Sequence, residues 1–396
     1  MSSNRPVLRI LGIAACVVAL GGCATVKGWF GGKSGKEAKP AALVEITPDT
    51  KVSQLWSAKL GGSEVRVGAR QRPVVVDGRV YAAGSGSTVR ALDLQSGQTV
   101  WTWTGDKDAR FAGGPGVADG IVAVGGLNGE VIALDAATGT EKWKGQVLNE
   151  VIAAPAVGGG MVFVRSNDGR VTAFDAVSGE KRWDWRSDMP ALTVRGNAGL
   201  TLGPGFVFVG TDNGRLVALS AADGNELWGQ TIAQPEGRSE LDRLNDVDGS
   251  PLLEGTTLYV SSYKPQTMAI DAPSGQPIWV AQDHGGVGGV ASSGSGRLAV
   301  TDAQDVVWAL DATTGAALWK QPSYPRRALT APAIVGNHVV VGDFDGYLHW
   351  FSLDDGHMSA RVRTSRKPLR AQPVVADGIL LVQDTDGGLT AYRAGQ

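Results

Sequence analysis

The chain has 396 residues, a formal net charge of −2, and 43% hydrophobic against 19% charged residues. No basic stripe with interleaved aromatics is present, so nucleic acid is not an expected partner.

The first 22 residues read as a secretory leader. Arg5 and Arg9 supply the basic start, and Ile10 to Leu20 is an apolar core of 11 residues, too short to span a bilayer. It ends in Leu20-Gly21-Gly22-Cys23, which resembles the lipobox of bacterial lipoproteins. The resemblance implies cleavage before Cys23, lipidation of its thiol, and anchoring in a membrane. Lipoproteins of this type stay in the inner membrane when Asp follows the lipidated cysteine. Ala24 stands there, which implies the inner, periplasm-facing leaflet of the outer membrane. Cys16 leaves with the leader, so the mature domain has neither a disulfide nor a free thiol. Residues 23–48 carry Lys27, Lys33, Lys36 and Lys39 among Gly and Ala and read as a flexible tether.

From residue 49 onward a phrase recurs, Ala-Leu-Asp-x-x-x-Gly-x-x-x-Trp. Its glycines are Gly97, Gly139, Gly179, Gly224, Gly275, Gly315 and Gly356, with gaps of 42, 40, 45, 51, 40 and 41 residues. The matching tryptophans are Trp101, Trp143, Trp183, Trp228, Trp279 and Trp319; the seventh copy has Ala360 in that place. Around each copy lie short β-rich runs bounded by Gly, Asp and Asn, as antiparallel strands are. No sustained helical period appears. A period near 40 with strand content predicts a radial array of small sheets. In each Asp-x-x-x-Gly hairpin the carboxylate can accept the turn's N–H groups, and the glycine takes the positive φ. Each Trp is expected to pack between units, burying up to about 150–250 Å², or roughly 4–6 kcal/mol as an upper bound.

The tail, Ala371 to Tyr392, holds three strand-like runs and no Trp strand, whereas Val52 to Trp56 is a Trp strand without partners. The N-terminal strand is therefore predicted to complete the C-terminal sheet. The fold class is all-β: an eight-bladed β-propeller of four-stranded antiparallel blades over residues 49–396, its ring closed by the two ends of the chain.

The links from each Trp to the next first strand single out one sector. Four of them span 12 to 14 residues, but Trp183 to Leu200 spans 17 and Trp228 to Pro251 spans 23. These two links enter and leave one blade on one face of the ring. They mix apolar and charged residues, Leu192, Val194 and Arg195 in the first and Leu241, Arg243, Asp246 and Asp248 in the second. Apolar anchors with a polar rim suit a protein contact. An internal pairing of Arg195 with Asp246 or Asp248 fits the spacing equally well.

Catalytic and metal-binding residues are not found. His284, His338, His349 and His357 lack metal-ligand spacing. Gly31-Gly32-Lys33-Ser34 lacks the first glycine and the strand of a phosphate loop. The turns Asp343 to Gly346 and Asp384 to Gly387 lack the rest of a calcium loop and read as β-turns. No cofactor is expected.

Two families share such repeats. The repeat resembles that of quinoprotein dehydrogenases, propellers that hold pyrroloquinoline quinone and calcium on the axis. That reading implies a quinone-dependent oxidoreductase, but many of its alcohol-oxidising members use adjacent cysteines, which the mature chain lacks. The lipobox, the repeats and three segments, Leu192 to Gly196, Leu241 to Asp248 and Val341 to Trp350, resemble the BamB family, lipoproteins of the outer-membrane β-barrel assembly machinery. This likeness implies a non-enzymatic scaffold whose partners are a POTRA domain of the barrel subunit BamA, other assembly-complex lipoproteins and unfolded outer-membrane protein clients. It assigns the contact to Leu192, Val194, Arg195, Asp246 and Asp248. A propeller that binds periplasmic sugar or peptidoglycan is a third reading.

Overall fold

The structure is a computed structural model and describes residues 39–62, 70–190, 198–233, 247, 249–262, 266–286 and 288–395. Every regular element among them is a β-strand, and the strands form eight four-stranded antiparallel sheets arranged as an eight-bladed β-propeller. Blade 1 is typical. Its inner strand Val74–Val76 pairs with Arg79–Ala83, which pairs with Thr88–Asp93, which pairs with the outer strand Thr99–Thr104. The inner strands have at most three residues and approach those of neighbouring blades around the axis. The second and third strands carry nearly unbroken apolar runs because both of their faces are covered by adjacent blades.

Successive blades are joined by the repeat itself. The Trp101 Nε1–H donates to the Ala136 carbonyl in the next blade at 3.0 Å, and Trp143 does the same to Ala176 at 2.9 Å. Trp56, Trp183, Trp228, Trp279 and Trp319 repeat the bond to Leu94, Ala221, Ala272, Ala312 and Leu353. Each indole covers the hairpin glycine of that next blade. Gly139, for example, has φ +74°, and a Cβ there would stand 2.6 Å from the Trp101 ring. The glycine is thus required twice, for its backbone angle and for the ring above it. The hairpin aspartates act as expected: Asp135 accepts the Ala137 and Thr138 N–H groups and the Thr138 hydroxyl, all at 3.0 Å.

The ring closes as the sequence predicts. Strand Val52–Lys59 lies antiparallel to Gly388–Ala394, from Val52 opposite Ala394 to Lys59 opposite Gly388. The eighth sheet thereby joins residues from both ends of the chain.

Blade 7 lies beside this seam. Its outer strand Met358–Arg363 contains Ala360. The next blade has no hairpin here, because its third and outer strands are the two ends of the chain. A tryptophan would find neither hairpin glycine nor carbonyl. The N-terminal segment occupies this flank instead. The Asp49 and Thr50 N–H groups both donate to the Ser359 carbonyl, at 3.1 and 3.3 Å, and Ser359 and Ala360 are buried.

Candidate partner-docking face

Every outer strand runs in the same sense, so every link to the next blade emerges on the same face of the ring. The turns between second and third strands lie on that face too. The two long links bracket the turn 211–214 of blade 4, and their described ends grip it from both sides. Asn213 Nδ2 donates to the Asp188 carbonyl at 3.3 Å, Ile232 N–H bonds the Gly214 carbonyl, and the buried Val247 donates its N–H to the Thr211 carbonyl. Gly199 N–H donates to Ser250 Oγ at 2.9 Å, tying the end of one long link to the end of the other.

An ion pair lies beneath. Arg165, at the end of strand Met161–Arg165, donates to Asp212 Oδ1 at 2.5 Å and to the Ala198 carbonyl at 3.1 Å. Both side chains are buried. A cavity of about 10 Å³, room for one water, adjoins the pair and is lined also by Ile152, Ser166 and Asn167. The same position in blades 1, 2 and 4 is Ala83, Gly125 and Gly210. Arg165 was not picked out from the sequence. The available signal was a cation at a position where the other blades carry uncharged residues, from Gly125 to Gln383.

Of the expected contact residues, Leu192, Val194, Arg195, Leu241, Arg243, Asp246 and Asp248 all lie outside the described residues, as does Cys23. The tryptophans Trp56, Trp101, Trp143, Trp183, Trp228, Trp279 and Trp319 are all described and all form the inter-blade joint.

A second constellation centres on blade 7. Asp343 opens the turn 343–346, and its Oδ1 accepts the Asp345 and Tyr347 N–H groups at 2.9 Å each. Its Oδ2 accepts from Arg327 Nε at 2.8 Å and from His349 Nε2 at 2.9 Å. Arg361 Nε donates to His349 Nδ1 at 3.3 Å, which assigns the proton to Nε2. Burial raises the Asp343 carboxyl, but the bonds from His349, Tyr347 and Arg327 outweigh it and hold the pKa below the usual range. Burial pushes the His349 imidazole down, against the pull of Asp343. The cluster is therefore an ionised Asp343 with Arg327 and a neutral histidine, satisfied from within.

Residues 41–50 run along this cluster. Ala41 N–H donates to the Pro325 carbonyl at 3.1 Å, and Arg327 returns a bond to the Ala41 carbonyl at 3.0 Å. Arg361 bonds the Val44 carbonyl at 2.7 Å, and Leu43 packs on the core between blades 6 and 7. At the far end His357 lies between Asp355 and Asp49, at 2.6 and 2.7 Å. These two carboxylates, Asp355 first, raise its pKa, while the histidine brings Asp355 down to about 2. The turns 343–346 and 384–387 are β-turns, and among the described residues no group of His, Cys, Asp or Glu could hold a metal ion.

The fold and its joints define a class, the propellers built from repeats with a docking tryptophan. Within it, the family model described as "Outer membrane protein assembly factor BamB" matches residues 38–109, 85–294 and 269–396. The chain is 52% identical over 399 residues to the assembly factor BamB of Xanthomonas campestris pv. campestris, covering 98% of both chains. It is 35% identical over 356 residues to that of Escherichia coli K12, covering 88% of this chain and 89% of that one. The crystal structure of BamB from Moraxella catarrhalis superposes with a TM-score of 0.78 at 25% identity, covering 87% of this chain and all of that one. A quinohemoprotein alcohol dehydrogenase from Comamonas testosteroni shares the fold alone, with a TM-score of 0.68 at 17% identity, over 86% of this chain and 76% of that one. The chain belongs to the BamB family of outer membrane protein assembly factors.

Proposed function

We propose that this chain is a non-enzymatic scaffold of the outer-membrane protein assembly complex, anchored through a lipid on Cys23 to the inner leaflet of the outer membrane. The two long links form its contact with a POTRA domain of a BamA-like barrel subunit. Leu192, Val194 and Leu241 are the apolar anchors, and Arg195, Arg243, Asp246 and Asp248 the charged rim. The complex also holds other assembly lipoproteins and receives unfolded outer-membrane protein clients. The observation that carries this reading is the grip on blade 4. A buried ion pair and a set of backbone bonds fix the ends of two adjacent long links on one face, which is how a rigid fold presents contact loops.

The test is crosslinking in living cells from a photoreactive residue at position 195. Capture of the barrel subunit is the expected result. Capture of only a peptidoglycan fragment, or of nothing, overturns the proposal. Arg195→Glu and Asp246→Arg should each reduce capture at least about tenfold with little change in melting temperature. A large loss of stability would show instead that these residues pair with each other inside the chain.

A further inference from the structure

The link face has a second sector, around blade 8, across the ring from blade 4. The blade 8 turn, Asp384 to Gly387, is flanked by two links. Residues 363–372 lie on one side, with Leu369 bridged to Asp384 and Thr385 N–H bonded to the Pro368 carbonyl. Residues 59–62 and 70–73 lie on the other, with Leu60 N–H on the Gly387 carbonyl and Gln71 beside Gln383 at 3.0 Å. These described segments carry seven cations, Lys59, Arg70, Arg72, Arg363, Arg366, Lys367 and Arg370, and two carboxylates, Asp384 and Asp386. Asp384 Oδ1 is engaged by its own turn, accepting the Asp386 and Gly388 N–H groups. Asp386 is shared between Lys59 at 3.4 Å and Lys367 at 3.8 Å. Arg366 and Arg370 are exposed, and neither bonds a carboxylate among the described residues. In a chain whose formal charge is only −2, this is a concentrated positive field.

The N-terminal segment leaves the ring on the same face. Ala41 is held at Pro325 and Arg327, in the link between blades 6 and 7, and the basic link 363–372 is the next one around the ring. Seventeen residues separate Cys23 from Ala41, a reach of at most about 60 Å when fully extended. An anchor at Cys23 thus confines this sector to the neighbourhood of a lipid surface.

We propose that the blade 8 sector of the link face is a docking surface for anionic phospholipid headgroups, with Arg366, Lys367 and Arg370 as its principal contacts. The proposal rests on the reading that the chain is held at a membrane, but its chemistry does not require the acyl group. Each exposed cation near an anionic surface adds a modest attraction that salt screens, so the sector gives the ring a preferred orientation at that surface.

The test uses residues 41–396, which form one compact unit, so neither the acyl chain nor the tether lysines contribute. Sedimentation is measured with vesicles of phosphatidylglycerol and phosphatidylethanolamine, about one to three, and with vesicles of phosphatidylcholine alone. Binding to the anionic vesicles only, weakening between about 50 and about 300 mM salt, is expected. The triple variant Arg366→Gln, Lys367→Gln, Arg370→Gln should bind at least about tenfold more weakly. A control removing equal charge from outer strands, Lys142→Gln, Lys144→Gln, Lys181→Gln, should bind as the parent does. Equal binding to both vesicle types, no binding, or an equal loss in the control overturns the proposal. Mass spectrometry of the Cys23 peptide from cells tests the anchor separately, so the two readings can fail independently.

Discussion

The indole of Trp319 lies against Gly356 of the following blade, with a Cβ position only 2.6 Å from the ring, and its Nε1–H reaches the Leu353 carbonyl at 2.9 Å. Going forward along the chain, this is the last joint of its kind before the seam. At the seam the joint changes character, since backbone N–H groups of Asp49 and Thr50 replace the indole.

Replacing the joint glycine should separate its two roles. Gly139→Ala meets both a positive φ and the Trp101 ring, whereas Gly78→Ala meets a φ of +69° with nothing within 4 Å. Urea unfolding should show a loss of about 1 kcal/mol for Gly78→Ala and at least about 2 kcal/mol for Gly139→Ala. Equal losses would mean that the ring contact contributes nothing.

Ala360→Trp restores the repeat phrase and should nevertheless destabilise. Ala360 is buried beside Val52, Val362 and Ala394, so the larger side chain overpacks the seam at a cost of about 1–3 kcal/mol. A rise in melting temperature would refute this account of the missing tryptophan.

The ion pair under the long links invites a double-mutant cycle. Arg165→Met leaves Asp212 buried without its cation and should cost about 3–5 kcal/mol, while Arg165→Met with Asp212→Leu should recover much of the loss. Thermal melts of the four proteins decide it; additive losses would show that the two residues act independently.

Two of the three histidines of blade 7, His357 and His349, have opposite linkage. His357 has a folded pKa raised above its ordinary 6.5 by Asp355 and Asp49. Its contribution to holding residues 49–50 is complete below pH 6.5 and is lost as pH rises through the folded value. His349 is lowered from 6.5 by burial, so its contribution is present above pH 6.5 and is lost as pH falls toward the folded value. Hydrogen exchange at Asp49 and Thr50 should therefore accelerate on the alkaline side, beyond the intrinsic rise, and His357→Gln should abolish that dependence. An unchanged profile in the variant would assign the protection to the backbone bonds alone.

Tyr392 is buried with no protein partner for its hydroxyl, and burial pushes its pKa up to about 12. Tyr392→Phe removes the stranded polar group and keeps the packing, so stability should hold or rise by up to about 1 kcal/mol. A loss beyond 1 kcal/mol by urea unfolding would reveal a hydrogen bond to solvent.

Much of the fold was legible because its joint is a side-chain event repeated at a fixed period. The glycines, tryptophans and hairpin aspartates each have a composition that a reader can find, and the unpartnered strand at Val52 foretold the seam. What stayed hidden was that each tryptophan serves the glycine of the next repeat, since one period fits either pairing. The docking of residues 41–50 also left no mark. Arg327 and Arg361 bind carbonyl oxygens of Ala41 and Val44, groups that every residue possesses, across 286 and 317 positions of sequence. Arg165 was visible only as an irregularity, because its partner Asp212 belongs to another repeat.

The pairing of Val52–Lys59 with Gly388–Ala394 has a consequence for biogenesis. A polypeptide delivered from its amino end exposes the first of these strands long before the second arrives. Such a distant contact slows folding and leaves an adhesive edge in the meantime. A member of a family of outer membrane protein assembly factors thus has an assembly delay of its own, set by the distance between its pairing strands.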